Sequence, residues 1–260
     1  MSERRARPSP RRTIRELRVH HYARLDRDRP RRIGLPEVIL AEGKTVDHLI
    51  GILTALARRG EGALVSRPTE AQRRAVAETG RDRLPVRELA GGRVLRLEGP
   101  LGTRFRPGTA AIVTAGTSDV PLAEEAGAIL RTFGIQVVEV HDVGVAGLHR
   151  LLRALRRLER AEPEIYLVFA GREGALPTVI AGLVPAPVVG VPTSVGYGRG
   201  GRGEAALSAM LQSCAPIAVV NIDAAVPAAL FAAHRFVRRG TGSRSSAPPT
   251  RSRRRPTRKR

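Results

Sequence analysis

The chain has 260 residues and a formal net charge of +21, but the charge sits at its ends: residues 1–33 carry twelve Arg against four acids (+8), residues 238–260 carry nine Arg and Lys259 with no acid (+10), and the 34–237 body keeps only +3. That distribution argues against a nucleic-acid grip built into the fold and leaves only weak contact through the tails. Scarce aromatics, with no Trp, exclude base-stacking platforms, and the single cysteine, Cys214, excludes a disulfide framework.

Residues 1–33 mix Arg and Pro with few apolar residues and are expected to be a partly disordered basic segment, with order beginning near Tyr22 or Ile33. Residues 34–100 read as a small α/β unit. Val38-Ile39-Leu40 is a short strand, and Thr45 caps a helix whose Val46, Leu49, Ile50, Ile52 and Leu53 recur at helical spacing. Ala63-Leu64-Val65 is another strand, and Thr69 opens a helix through about Ala77. Residues 99–108 read as a linker. From 108 to 237 the pattern becomes regular: strands at 110–114, 136–140, 165–169, 188–191 and 217–222 alternate with helices at 121–133, 145–157, 174–183, 203–212 and 226–236. Apolar strands alternating with helices predict an α/β fold, a doubly wound parallel five-stranded sheet covered on both faces. Residues 238–260 are expected to be a disordered basic tail. With no apolar run after Met1 and none long enough to span a bilayer, a soluble cytoplasmic protein with no membrane partner is expected.

In such a sheet ligands bind beyond the carboxyl ends of the strands. There the five strands run into Gly116-Thr117-Ser118-Asp119, His141-Asp142, Gly171-Arg172-Glu173-Gly174, Thr193 to Gly198, and Asn221-Ile222-Asp223. Each turn taken alone is explained by capping and turn formation; five together point to a site. The first offers hydroxyls and backbone N–H groups at a helix start, suited to phosphate. Gly196 to Gly203, with Arg199 and Arg202, suits a phosphate or merely a flexible loop. It also contains a weak G-x-G-x-x-G match with Asp223 further on, which keeps a hydride-transfer enzyme as a rival. Cys214 falls just before the fifth strand, at the opposite end of the sheet. It is either a packing residue or a nucleophile. If it is a nucleophile, a neighbouring subunit must bring it to the site. The scattered histidines and one cysteine do not make a zinc site.

Several longer strings carry a family resemblance: Tyr22 to Asp26, Glu42 to Thr45, Ala115 to Ala126, Asp142 to Leu152, Glu173 to Pro177, Val191 to Gly198, Met210 to Ala215 and Val219 to Asp223. Over these the chain resembles nickel-pincer-cofactor biosynthesis enzymes of the LarB type, the pyridinium-3,5-biscarboxylic acid mononucleotide synthases. The C-terminal half is also similar to phosphoribosylaminoimidazole carboxylase, with a flavodoxin-like sheet and oligomeric packing. That purine activity ranks second, because its Leu-Pro loop carries a histidine where this chain reads Glu173-Gly174-Ala175.

The resemblance implies nicotinate adenine dinucleotide as substrate, CO2 or bicarbonate as co-substrate, and AMP as a product. It implies no tightly bound cofactor, with Mg²⁺ a candidate for the anhydride hydrolysis. Cys214 would be the nucleophile, and Glu173 and Asp142 the proton-transfer groups. Thr117, Ser118, Asp119, Ser194, Gly196, Tyr197, Gly198, Arg199, Asn221 and Asp223 would hold ribose, phosphates or CO2. A homo-oligomer sharing Cys214 across an interface is expected. The chain departs from the family pattern at Ala224 to Pro227, Arg199 to Gly203, Arg172 and His141.

Overall fold

The computed structural model describes residues 15–238; the two basic ends, 1–14 and 239–260, lie outside the described residues, and with them most of the expected tails. Order starts earlier than composition implied. Glu16–Val19 (β1) and Ala23–Asp26 (β2) pair as an antiparallel hairpin, and Arg29–Ile33 forms a short helix, α1. Val19 and Leu25 turn inward and are buried, while the intervening Arg residues carry the charge outward. Arg15 fixes the hairpin base through paired bonds to the Asp28 carboxylate.

Val38–Leu40 (β3), Val46–Ala57 (α2), Ala63–Ser66 (β4) and Glu70–Glu78 (α3) follow, then Val86–Leu89 (β5) and Val94–Leu97 (β6). Thr45 and Thr69 cap their helices as expected, Thr69 in a full capping box with Gln72. The strands form one mixed sheet in the order β3-β4-β6-β5. Its residues sort by parity. Ala63, Val65, Leu95 and Leu97 face Leu49, Ile52, Leu53 and Val76 of α2 and α3. Leu64 and Val94 face the other way and join the core of the C-terminal unit. The N-terminal unit is therefore packed into the fold rather than tethered to it.

The C-terminal unit contains Thr109–Thr114 (β7), Val120–Thr132 (α4), Gln136–Val140 (β8), Leu148–Glu159 (α5), Ile165–Ala170 (β9), Leu176–Ala181 (α6), Val188–Pro192 (β10), Glu204–Leu211 (α7), Ile217–Val219 (β11) and Ala225–Ala233 (α8). The five strands are parallel in the order β11-β10-β9-β7-β8, the flavodoxin-like arrangement. Ala110, Ile112, Leu167, Phe169, Val189 and Val191 pack under α4 and α8; Ala111, Val113, Tyr166 and Val168 pack under the opposite layer. Burial on both faces accounts for the unbroken apolar runs of these strands. Helices α4 and α8 meet through Ala123, Ala126, Ala228, Ala229 and Ala232, small enough for close approach.

Residues 99–108, expected to be a free linker, are pinned. Phe105 stacks on Phe133, Arg106 N–H donates to the Phe236 carbonyl at 2.7 Å, and Arg106 pairs with Glu164. Among the described residues no helix is long and apolar enough to cross a membrane.

Candidate active site

Strand order reverses between β7 and β9, and a cavity of about 500 Å³ opens there, at the carboxyl ends of the strands. That volume suits a small-molecule ligand. Its walls come from four successive turns: Gly116, Ser118 and Asp119 after β7; Gly144 to Ala146 after β8; Gly171, Arg172 and Glu173 after β9; and Val195 after β10. Arg150 reaches in from α5.

The backbone of these turns is strained. Asp142, Arg172 and Asp223 hold left-handed φ values of 56°, 47° and 57°, each just past a strand end. Non-glycine residues in that region persist only where their surroundings hold them, and such positions gather at functional sites. Gly171 is fixed by close approach, since a Cβ there would stand 2.1 Å from the Val195 carbonyl oxygen.

Asp119 is the buried polar centre. Its Oδ1 accepts from the Thr193 hydroxyl at 2.6 Å and its Oδ2 from Gly116 N–H at 2.8 Å. Burial pushes its carboxyl above the ordinary aspartate range, these two bonds pull it back, and the Asp223 charge adds a smaller upward push. Asp223 in turn accepts from Ser194 N–H at 2.8 Å. Three strand ends are thereby locked together, those of β7, β10 and β11.

The two expected proton-transfer groups differ in setting. Glu173 is exposed and lines the cavity, with no hydrogen-bond partner among the described residues. Asp142 does not line it; Arg150 holds its carboxylate at 2.7 Å. Of the expected binding residues, Ser118 and Asp119 line the cavity, while Thr117, Ser194, Gly196, Tyr197, Gly198, Asn221 and Asp223 do not. Asn221 Oδ1 is engaged by Ile222 N–H at 2.8 Å. The Arg199 side chain lies outside the described residues.

Cys214 is exposed in the turn between α7 and β11, at the amino end of the sheet, and does not line the cavity. Ser213 makes that turn rigid, bonding Thr178 at 2.8 Å and Ala215 N–H at 3.1 Å. Leu183 and Leu211 at the same end are 47% and 66% exposed.

Three site arginines and their partners were not expected from sequence. Arg172 stacks over the Tyr197 ring, its Cζ 4.4 Å from the centroid, and donates to the Tyr197 hydroxyl. Arg150 lines the cavity, and Arg67 of the N-terminal unit donates to the Asp223 carbonyl. The only advance signal for Arg172 was its departure from the family pattern. Among the described residues, no group of three or more His, Cys, Asp or Glu side chains converges as a metal cage.

Comparison with known proteins is consistent with this arrangement. A model of the AIR carboxylase family matches residues 109–244, and one of the LarB/PurE-like N-terminal domain matches residues 17–98. The chain belongs to the LarB/PurE-like family. An uncharacterised protein of Methanocaldococcus jannaschii is 36% identical over 217 residues, covering 82% of this chain and 84% of that protein. An N5-carboxyaminoimidazole ribonucleotide mutase of Pyrococcus horikoshii is 35% identical over 127 residues, 46% of this chain and 68% of the mutase. A crystal structure of Treponema denticola PurE superposes with a TM-score of 0.40 at 26% identity, covering 49% of this chain and 78% of that one. The LarB/PurE-like family is one of enzymes, carboxylases and mutases.

Proposed function

We infer that this family member carboxylates C5 of the pyridinium ring of nicotinate adenine dinucleotide and hydrolyses its phosphoanhydride. The products would be AMP and pyridinium-3,5-biscarboxylic acid mononucleotide, a step toward a nickel-pincer cofactor. The observation that carries the reading is the division of the reactive groups. A carboxylate, Glu173, faces a cavity lined by no histidine, while the one thiol stands exposed on a rigid turn at the opposite end of the sheet.

An electron-poor pyridinium does not attack CO2 unaided. A thiolate that adds at C4 or C6 forms a C–S bond and sends the ring electrons to nitrogen. The resulting enamine carries nucleophilic character at C5, which forms the C–C bond to CO2. Loss of the C5 proton to a carboxylate and cleavage of the C–S bond then restore the aromatic ring and the thiolate. Glu173 suits the proton acceptor, having no partner among the described residues, whereas Asp142 is committed to Arg150. Arg150 and Arg172 would offer guanidinium donors to carboxylate and phosphate groups. Cys214 would enter from a neighbouring subunit, with Leu183 and Leu211 part of the contact.

Incubation of the protein with nicotinate adenine dinucleotide and bicarbonate is expected to release AMP together with the dicarboxylated mononucleotide, read by mass spectrometry. The N5-carboxyaminoimidazole ribonucleotide mutases among its relatives favour a second reading, purine-type carboxyl transfer. Turnover of aminoimidazole ribonucleotide with none of the dinucleotide would select it.

A further inference from the structure

A second cavity, of about 400 Å³, lies between the N-terminal unit and the first turn of α4. Three guanidiniums line it: Arg67 directly after β4, Arg73 on α3, and Arg93 directly before β6. Thr69, Gly91 and Gly92 complete one wall; Leu122 and Asp223 belong to the other. Two acids line the cavity as well: Glu42, exposed and 3.7 Å from Arg67, and Asp223, whose carboxylate accepts from Ser194 N–H. Arg73 is held from the outer side by Glu70 and Glu88.

For Arg67 and Arg93 the counter-charge is looser. Arg67 and Arg93 share one buried carboxylate, Glu125, at 3.7 and 3.4 Å. Charge-assisted bonds run to about 2.7–2.9 Å, so both contacts are loose. Arg93 Nε is buried without any hydrogen-bond partner, and so is Glu125 Oε1. A guanidinium has five N–H donors, and a buried donor left unpaired is costly. The backbone also makes room for the cluster. Gly92 has φ +85°, and a Cβ there would stand 2.4 Å from Arg73 Nη1. A side chain at this left-handed position would be strained and would displace the Arg73 guanidinium from the wall.

The geometry points to an anion site between the two units, in which Arg67, Arg73 and Arg93 bind the phosphate groups of a phosphate-bearing ligand. Several planar donor forks converging on one small polar cavity match a multiply charged oxyanion with many acceptor oxygens. The site is coupled to the active-site cavity by a short chain. Arg67 holds the Asp223 carbonyl, Asp223 holds Ser194 N–H, and the adjacent Thr193 holds Asp119, which lines that cavity.

Calorimetric titration of the full chain with inorganic pyrophosphate at physiological ionic strength tests the assignment. Arg73→Gln, whose carboxylate partners are on the surface, is expected to weaken binding about tenfold, the value of a lost charged hydrogen bond. Gly92→Ala keeps every charge but crowds Arg73, and is expected to weaken binding as well. Unchanged affinity in Arg73→Gln would overturn the site and assign the binding to the basic ends of the chain. Where the site holds, a competing dinucleotide identifies the phosphates as the substrate's own, and simultaneous binding identifies a separate effector. No turnover enters this measurement, so its result is independent of the carboxylation reading.

Discussion

At the carboxyl end of the parallel sheet, Asp142, Arg172 and Asp223 hold strained backbone, and Asp119, Thr193, Ser194 and Asp223 interlock three strand ends around a cavity. At the amino end there is no comparable network about Cys214, only a rigid turn with an exposed thiol and exposed leucines beside it. The interlocked carboxylates and hydroxyls gather at the carboxyl end of the sheet, beside the cavity. The thiol proposed as nucleophile stands at the other end, away from that cavity. On the proposed reading each end needs the other, and the topology of one chain keeps them apart.

The contrast is broken most sharply from the amino end. Cys214→Ser is expected to lower carboxylation by on the order of 10³-fold or more, as removal of a covalent nucleophile does. Thermal unfolding should scarcely move, because the residue is exposed and the turn is held by Ser213. A variant with full activity would return Cys214 to an ordinary surface thiol.

At the carboxyl end the expected effect is on stability as well. Asp119→Ala removes the bonds to Thr193 and Gly116 and leaves the buried Thr193 hydroxyl without its acceptor. Urea unfolding should show a loss of about 1–3 kcal/mol, tempered because the buried charge is removed too. An unchanged midpoint would mean that the strand ends are not locked through this carboxylate.

The smallest effect concerns Glu125, between the two units. Burial raises its carboxyl above the ordinary glutamate range, with Arg67 and Arg93 pulling it partly back. A raised folded-state value stabilises the native state below the unfolded pKa, and that contribution is lost as pH rises through the folded value. Glu125→Gln removes the titration. Its stability relative to the parent protein should therefore improve as pH rises from about 4 to 7. Denaturant midpoints at several pH values would check the slope, and a slope of opposite sign would show that the arginines outweigh burial.

Much of the fold was legible because it rests on local signals. Thr45 and Thr69 cap helices through neighbours three residues away, and fully buried strands such as Ile165–Ala170 read as apolar runs. The β1–β2 hairpin was not legible, since Arg18 and Arg24 made an alternating strand pair look like a charged tail. In the site, the turns were found because glycine and acidic residues gather after every strand. Arg172 on Tyr197, and Arg93 on Glu125, were not, because they join residues 25 and 32 positions apart. Such pairs are fixed by tertiary packing, which no local spacing encodes. The pinning of residues 99–108 escaped for the same reason: Phe105 and Arg106 have turn-like neighbours but distant partners.

The central claim is that one active site is assembled from Glu173 of one subunit and Cys214 of another. Mixing Cys214→Ser with Glu173→Gln, each inactive alone, after dissociation and reassembly measures this directly. Shared sites predict recovery of carboxylation to on the order of a quarter of the parent activity, since some interfaces then carry both intact residues. A mixture as inactive as its components, with hetero-oligomers demonstrably formed, would contradict it.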